Sequence, residues 1–196
     1  KGELMFNTHQ KLIENFARKN PNNMVKVFLM VLLSIQKDWS QIGEHMLDVK
    51  AEGIDSKYLY GSKRVAYKQI IKMKKELYDT IFNDEIKLVD KLLLIRSIHG
   101  IDLVKGGFVL QLCIGKIGCL DVHNLKRFGL KASTFKTYGN LIETARYKAE
   151  LYITTCNKLG GCEYLWDNWC EYLATIYPKK YHSANDVSLR HLTYLN

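Results

Sequence analysis

The sequence predicts an all-α protein. Apolar residues recur at helical spacing along most of the chain, in long periodic stretches. The 196 residues include two prolines and 13 glycines, which is typical of helices separated by short turns. A chain of this length has enough residues to bury a core. We therefore expect one helical domain over residues 1–196, with any division into two lobes not separable from the sequence.

The helical patterns follow one another from the N-terminus. We expect a short helix after Asp38 or Ser40 and longer helices over residues 8–18, 24–36, 62–82, 133–158 and 162–176. Residues 24–36 are apolar nearly all round, which predicts the central helix of the domain. Residues 20–23, Asn-Pro-Asn-Asn, should end the 8–18 helix and separate it from the central helix. Gly160 and Gly161 should end the 133–158 helix.

The predicted helix over residues 62–82 has many basic residues outside its apolar stripe: Lys63, Arg64, Lys68, Lys72, Lys74 and Lys75. They form either a solvated helix face or a surface that follows DNA phosphates. The formal net charge of +9 favours a polyanionic partner.

Residues 98–128 contain the most specific pattern in the chain. A helix beginning at Asn83 or Asp84 should end at Ser97, and a tight turn should follow at Gly100. A second helix should start near Leu103, and a third should begin after Asp121. This order predicts exposed backbone amides and one carboxylate on the same side of a small helical unit.

This stretch resembles the helix-hairpin-helix plus Gly/Pro/Asp-loop signature of the endonuclease III type of DNA glycosylases. The family hairpin reads hydrophobic-Pro-Gly-hydrophobic-Gly, a small residue follows, and a Val-Asp-x-His loop comes later. Gly100, Ile101, Gly106, Asp121 and His123 occupy those places, in a unit spanning about residues 86–128.

The hairpin also departs from the family pattern. His99 replaces the proline, and Asp102 replaces the second glycine, so that a carboxylate would lie near any bound phosphate. Val104 stands where bifunctional members have the lysine that forms a Schiff base, and Lys105 follows it. One residue along a helix rotates a side chain by about 100°, so Lys105 does not simply replace that lysine.

The resemblance implies a two-lobed helical glycosylase fold that contacts the backbone of duplex DNA and removes a flipped base. Asp121 would be the catalytic carboxylate of a monofunctional enzyme, and it also suits a helix N-cap. The implied DNA-binding residues are Gly100, Ile101, Asp102, Val104, Lys105, Gly106 and His123. One alternative is an inactive DNA-binding or interaction module with unknown protein partners, within a nucleoprotein or virus-related assembly. Another is a nucleotide- or modified-base-processing enzyme with this fold.

The five cysteines and the absence of a signal pattern indicate reduced thiols and an intracellular location, in the cytoplasm, nucleoid or nucleus. The cysteines are small apolar core residues or, for Cys156 and Cys162 with His182, zinc ligands. Too few lie in the C-terminal part for an iron–sulfur cluster. We expect no cofactor and no metal. We also expect no membrane partner, since the apolar run 24–35 is too short to span a bilayer.

Candidates to stack on a flipped base are Trp39, Tyr58, Tyr60, Trp166 and Trp169.

Overall fold

The computed structural model describes residues 3–37, 41–137, 142–166 and Thr175. These residues contain helices and no strand, which confirms the all-α prediction for this part of the chain. The α-helices are α1 (Glu3–Arg18), α2 (Pro21–Leu33), α3 (Ile42–Glu52), α4 (Ser62–Ile81), α5 (Leu88–Arg96), α6 (Leu103–Ile114), α7 (Val122–Arg127) and α8 (Ile142–Lys158). Two short 3-10 turns lie at Gly53–Asp55 and Ala132–Phe135. Within these ranges no helix is both long and apolar enough to cross a membrane.

Helix α2 is the central helix, as its composition predicts. Every residue from 27 to 33 is buried, and α2 contacts α1, α3, α4 and α6. The predicted break after the first helix is confirmed, since α1 ends at Arg18, but α2 begins at Pro21 and not at residue 24. Proline suits the first helical position, where its missing N–H has no partner to lose. The Asn20 side chain caps this end by accepting a hydrogen bond from the Asn23 amide at 2.9 Å.

The predicted hairpin helices are present, with one correction. Helix α5 ends at Arg96 with Ser97 as its C-cap, and α6 begins at Leu103, as expected. Helix α5 begins at Leu88, however, and not at Asn83 or Asp84. The Asn83 side chain accepts a hydrogen bond from the Glu85 amide at 2.9 Å, which closes a local turn in place of a helix cap.

The predicted 133–158 helix is shorter than expected at its N-terminal end. Residues 132–135 form a 3-10 turn, and the extended backbone of Lys136 interrupts any continuation. Helix α8 ends at Lys158, and Gly160 follows with φ +100°, which confirms the predicted stop. Residues 161–166 are helical. Apart from Thr175, the remainder of the predicted aromatic helix lies outside the described residues, as do Trp39, Asp38 and Ser40.

Helix α6 joins the hairpin to the rest of the core. It contacts α1, α2, α4 and α5, and every residue from Gly106 to Ile114 is buried. A Cβ added at Gly106 would lie 3.0 Å from Leu92 Cδ1 and 3.5 Å from Ile95 Cγ2 on α5. The small residue of the motif therefore lets the two hairpin helices pack closely.

Candidate active site

Asp121 lies at the start of α7 and caps that helix. Its Oδ1 atom accepts hydrogen bonds from the amides of His123, at 3.1 Å, and Asn124, at 2.9 Å. The side chain is partly exposed, and the next residue, Val122, is 66% exposed. Two hydrogen bonds from backbone amides thus orient a carboxylate at a helix end that faces solvent.

A buried tyrosine of α8 forms hydrogen bonds with the backbone of the loop before Asp121. The Tyr152 hydroxyl accepts a hydrogen bond from the Leu120 amide at 2.8 Å and donates one to the Gly118 carbonyl at 2.9 Å. A Cβ added at Gly107 would lie 2.6 Å from the same hydroxyl oxygen. The loop and the hairpin helix α6 therefore share one buried anchor.

Two buried amide side chains complete the support of this loop. Gln111 Oε1 accepts a hydrogen bond from the Cys119 amide at 3.1 Å, and its Nε2 donates to the Cys162 carbonyl at 3.2 Å. Asn124 Nδ2 donates to the Cys119 carbonyl at 2.8 Å. Satisfied polar groups in a low-dielectric core restrict motion, so the position of Asp121 is well defined.

Sequence reasoning did not identify Tyr152, Gln111 or Asn124 as supports. The only sequence signal was Gln111 itself, a polar residue within the otherwise apolar stretch from Phe108 to Ile114. A buried polar residue needs partners, so this exception could have pointed to a hydrogen-bonded loop nearby.

The hairpin turn is held against α4 by one glutamine. Gly100 has φ +73°, a left-handed conformation that favours glycine. Gln69 Oε1 accepts a hydrogen bond from the His99 amide at 2.9 Å, while its Nε2 donates to the Ser97 carbonyl at 3.2 Å. The turn is thus fixed in place by a residue of α4.

Asp102 caps α6 and adopts an extended backbone, with φ −92°, in place of a left-handed one. Its Oδ1 accepts a hydrogen bond from the Lys105 amide at 2.8 Å. The amides of Leu103 and Val104 have no hydrogen-bond partner within the part of the chain that the structure describes. A phosphate at this helix end would meet these two donors, but it would also meet the Asp102 carboxylate.

Lys105 extends away from the hairpin end toward α2. Its Nζ atom lies 3.4 Å from Ser34 Oγ, at the C-cap of α2. Burial raises the pKa of the neighbouring Cys119 thiol well above its ordinary value, the charge of Asp121 raises it further, and Lys105 opposes this shift.

The basic face of α4 is smaller than predicted. Lys63 is 8% exposed and buried, which corrects its placement on the outer surface. Its long side chain reaches the end of α2, where Nζ donates to the carbonyls of Leu33, at 3.2 Å, and Ile35, at 2.9 Å. Lys68 and Lys72 are exposed, as expected.

The cysteines 113, 119, 156 and 162 are free thiols. Burial raises the pKa of both Cys156 and Cys162 to about 12, so neither is ionised near neutral pH. Cys156 Sγ donates to the Gly118 carbonyl at 3.4 Å. No group of three His, Cys, Asp or Glu residues suited to a metal occurs among the described residues, and His182 lies outside them.

The candidate stacking rings have different surroundings. Tyr60 is 56% exposed, and the Tyr58 ring stacks on His45 with 3.8 Å between ring centroids. Trp166 is 2% exposed and belongs to the core. Trp169 lies outside the described residues. Of the described candidates, Tyr60 presents the most accessible ring.

Comparisons with protein-family models, with curated proteins and with solved structures find no match to this chain.

Proposed function

We propose that this chain is a DNA-binding protein of the helix-hairpin-helix glycosylase type, acting as a monofunctional base-excision hydrolase. The supporting observation is the placement of Asp121. Its carboxylate lies at a solvent-facing helix start, directly after a loop that buried side chains hold against the hairpin helix α6. The proposal extends to the two-lobed glycosylase fold, which would place this carboxylate beside a bound strand.

In the proposed reaction, the bond between the base and C1′ of deoxyribose breaks and positive charge develops on the sugar. The Asp121 carboxylate would stabilise that charge and orient a water molecule that adds to C1′. The departing base takes up a proton, and the strand keeps an intact abasic sugar. Val104 offers no amine at the Schiff-base position of the family, and the Lys105 ammonium extends toward Ser34.

A second candidate function is a DNA-binding module without catalysis. Asp102 favours it, because a carboxylate caps the hairpin helix where a phosphate would approach. Like charges at this point weaken the grip on DNA that a glycosylase needs to flip a base.

The two functions are separated by excision assays on duplexes containing a panel of damaged or modified bases. Alkali cleavage should reveal abasic sites, and borohydride should trap no protein–DNA adduct, because the proposed mechanism is monofunctional. Asp121→Asn should abolish excision while binding persists, since asparagine caps a helix as well as aspartate does. The matched control is Asp102→Asn, the same change at the α6 cap, which should retain excision.

Two results would contradict the proposal. A trapped adduct that disappears in Lys105→Ala would make the enzyme bifunctional, with Lys105 as the nucleophile. An absence of excision from every substrate, together with retained duplex binding, would favour the non-catalytic module.

A further inference from the structure

Two lysine ammonium groups meet at the C-terminal end of α2, outside the site around Asp121. Lys63 Nζ donates to the carbonyls of Leu33 and Ile35, at 3.2 and 2.9 Å. Lys105 Nζ lies 3.4 Å from the hydroxyl of Ser34, the residue between them. Helices α4 and α6 thus each direct a lysine to the same turn of the chain.

This turn concentrates positive charge. Lys37 belongs to the same turn, because its amide donates to the Ser34 carbonyl at 3.2 Å. Burial lowers the pKa of Lys63, and the charges of Lys37 and Lys105 lower it further. None of these three lysines forms an ion pair with a carboxylate among the side chains of residues 11–37, 41–137 and 142–166. Carbonyl and hydroxyl dipoles compensate part of the charge, but an anion would compensate it more fully.

We propose that Lys37, Lys63 and Lys105 form a phosphate-binding site at the C-terminal end of α2. An ammonium group has three N–H donors. Lys63 uses two of them on carbonyls and Lys105 uses one on a hydroxyl, so Lys63 retains one donor for an anion and Lys105 retains two. A phosphate group has enough acceptor oxygens to bind several ammonium groups at once, and lysine is a common phosphate ligand.

The ligand that suits this site best is a phosphate within a nucleic-acid strand. The Tyr60 ring is 56% exposed, and its centroid lies 5.9 Å from Lys63 Nζ, so an aromatic face is available beside the charge. The assignment to a strand rests on the proposed function, whereas the affinity for phosphate does not.

The test compares two double variants with the same loss of charge. Lys37→Gln/Lys105→Gln removes two members of the cluster and leaves the buried Lys63 in place. Lys11→Gln/Lys19→Gln removes two exposed lysines, one on α1 and one directly after it, and is the control. Duplex affinity is measured at 50 and 200 mM salt, and thermal stability is measured with and without inorganic phosphate at constant ionic strength.

The cluster variant should bind DNA more weakly, and its salt slope should fall by about one unit. Its loss of affinity between the two salt concentrations should therefore be about three- to fourfold smaller than that of the parent. The control should retain most of the parental slope. If phosphate raises the melting temperature of the parent and not of the cluster variant, the site takes the free anion too. If only DNA affinity changes, the phosphate is recognised as part of a strand.

Equal behaviour of the cluster and control variants in both assays would overturn the inference. This failure is distinct from failure of the proposed function. A cluster that binds phosphate in a protein without excision activity would remove only the catalytic proposal. Excision that depends on Asp121, with a cluster variant equal to the control, would remove only the phosphate site.

Discussion

Replacing Tyr152 with phenylalanine tests the role of the loop anchor. The change removes one hydroxyl and keeps the ring, which contacts Phe135 edge-on at 5.1 Å between centroids. Two buried backbone groups lose their partner: the Leu120 amide entirely, and the Gly118 carbonyl except for the Cys156 thiol at 3.4 Å. An unsatisfied buried polar group costs about 1–3 kcal/mol, so we expect a loss of about 2–4 kcal/mol.

Urea unfolding at neutral pH measures this loss as a lower midpoint at unchanged m-value. The control is Tyr147→Phe, since Tyr147 is on the same helix and 62% exposed, and this change should stay within about 0.5 kcal/mol. Amide exchange at Leu120 should also accelerate in Tyr152→Phe, because the amide loses its acceptor. If Tyr152→Phe is as stable as the control, with Leu120 exchange unchanged, the hydroxyl does not anchor the loop.

Three further predictions concern single positions. Gly107→Ala should destabilise the protein by about 1–3 kcal/mol, since the added Cβ would lie 2.6 Å from the buried Tyr152 hydroxyl oxygen. Gly106→Ala should destabilise it less, since the nearest atom to its added Cβ is the end of the Leu92 side chain at 3.0 Å. Stability should fall as the pH drops below about 6.5, because burial lowers the pKa of His45 and the unfolded chain then binds a proton that the folded chain does not. The His45 contribution to this slope should be at most about 1.4 kcal/mol per pH unit and should vanish in His45→Gln. Asp102→Asn should strengthen duplex binding at low salt, because a negative charge leaves the hairpin end while the cap remains.

Each of these predictions has a direct check. Equal unfolding free energies for the two glycine variants would show that the α8 tyrosine moves aside freely. A pH slope that survives unchanged in His45→Gln would have a source other than His45. Unchanged duplex affinity in Asp102→Asn would indicate that the hairpin end does not face DNA.

Local patterns in the sequence were sufficient for much of the fold. Helix α4, the end of α5 at the hairpin, the start of α6 and the cap at Asp121 depend on apolar periodicity and on residues that cap or turn the chain. These preferences act within a few residues of one another. The errors at Asn83 and Pro21 were also local. Asparagine can cap a helix or close a turn, and proline can end a helix or occupy its first position. The neighbouring contacts determine which role each residue takes.

Local sequence patterns were enough to predict that the described residues are helical and that a carboxylate follows a hairpin. The side chains that support that carboxylate could be identified only from the packing of distant helices. The Tyr152 hydroxyl reaches a loop 32 residues earlier, and Lys63 reaches a carbonyl 30 residues earlier. Side chains of this kind look like an ordinary core ring or a solvated lysine in the sequence. Their roles arise because distant helices pack together and leave buried polar groups that require partners.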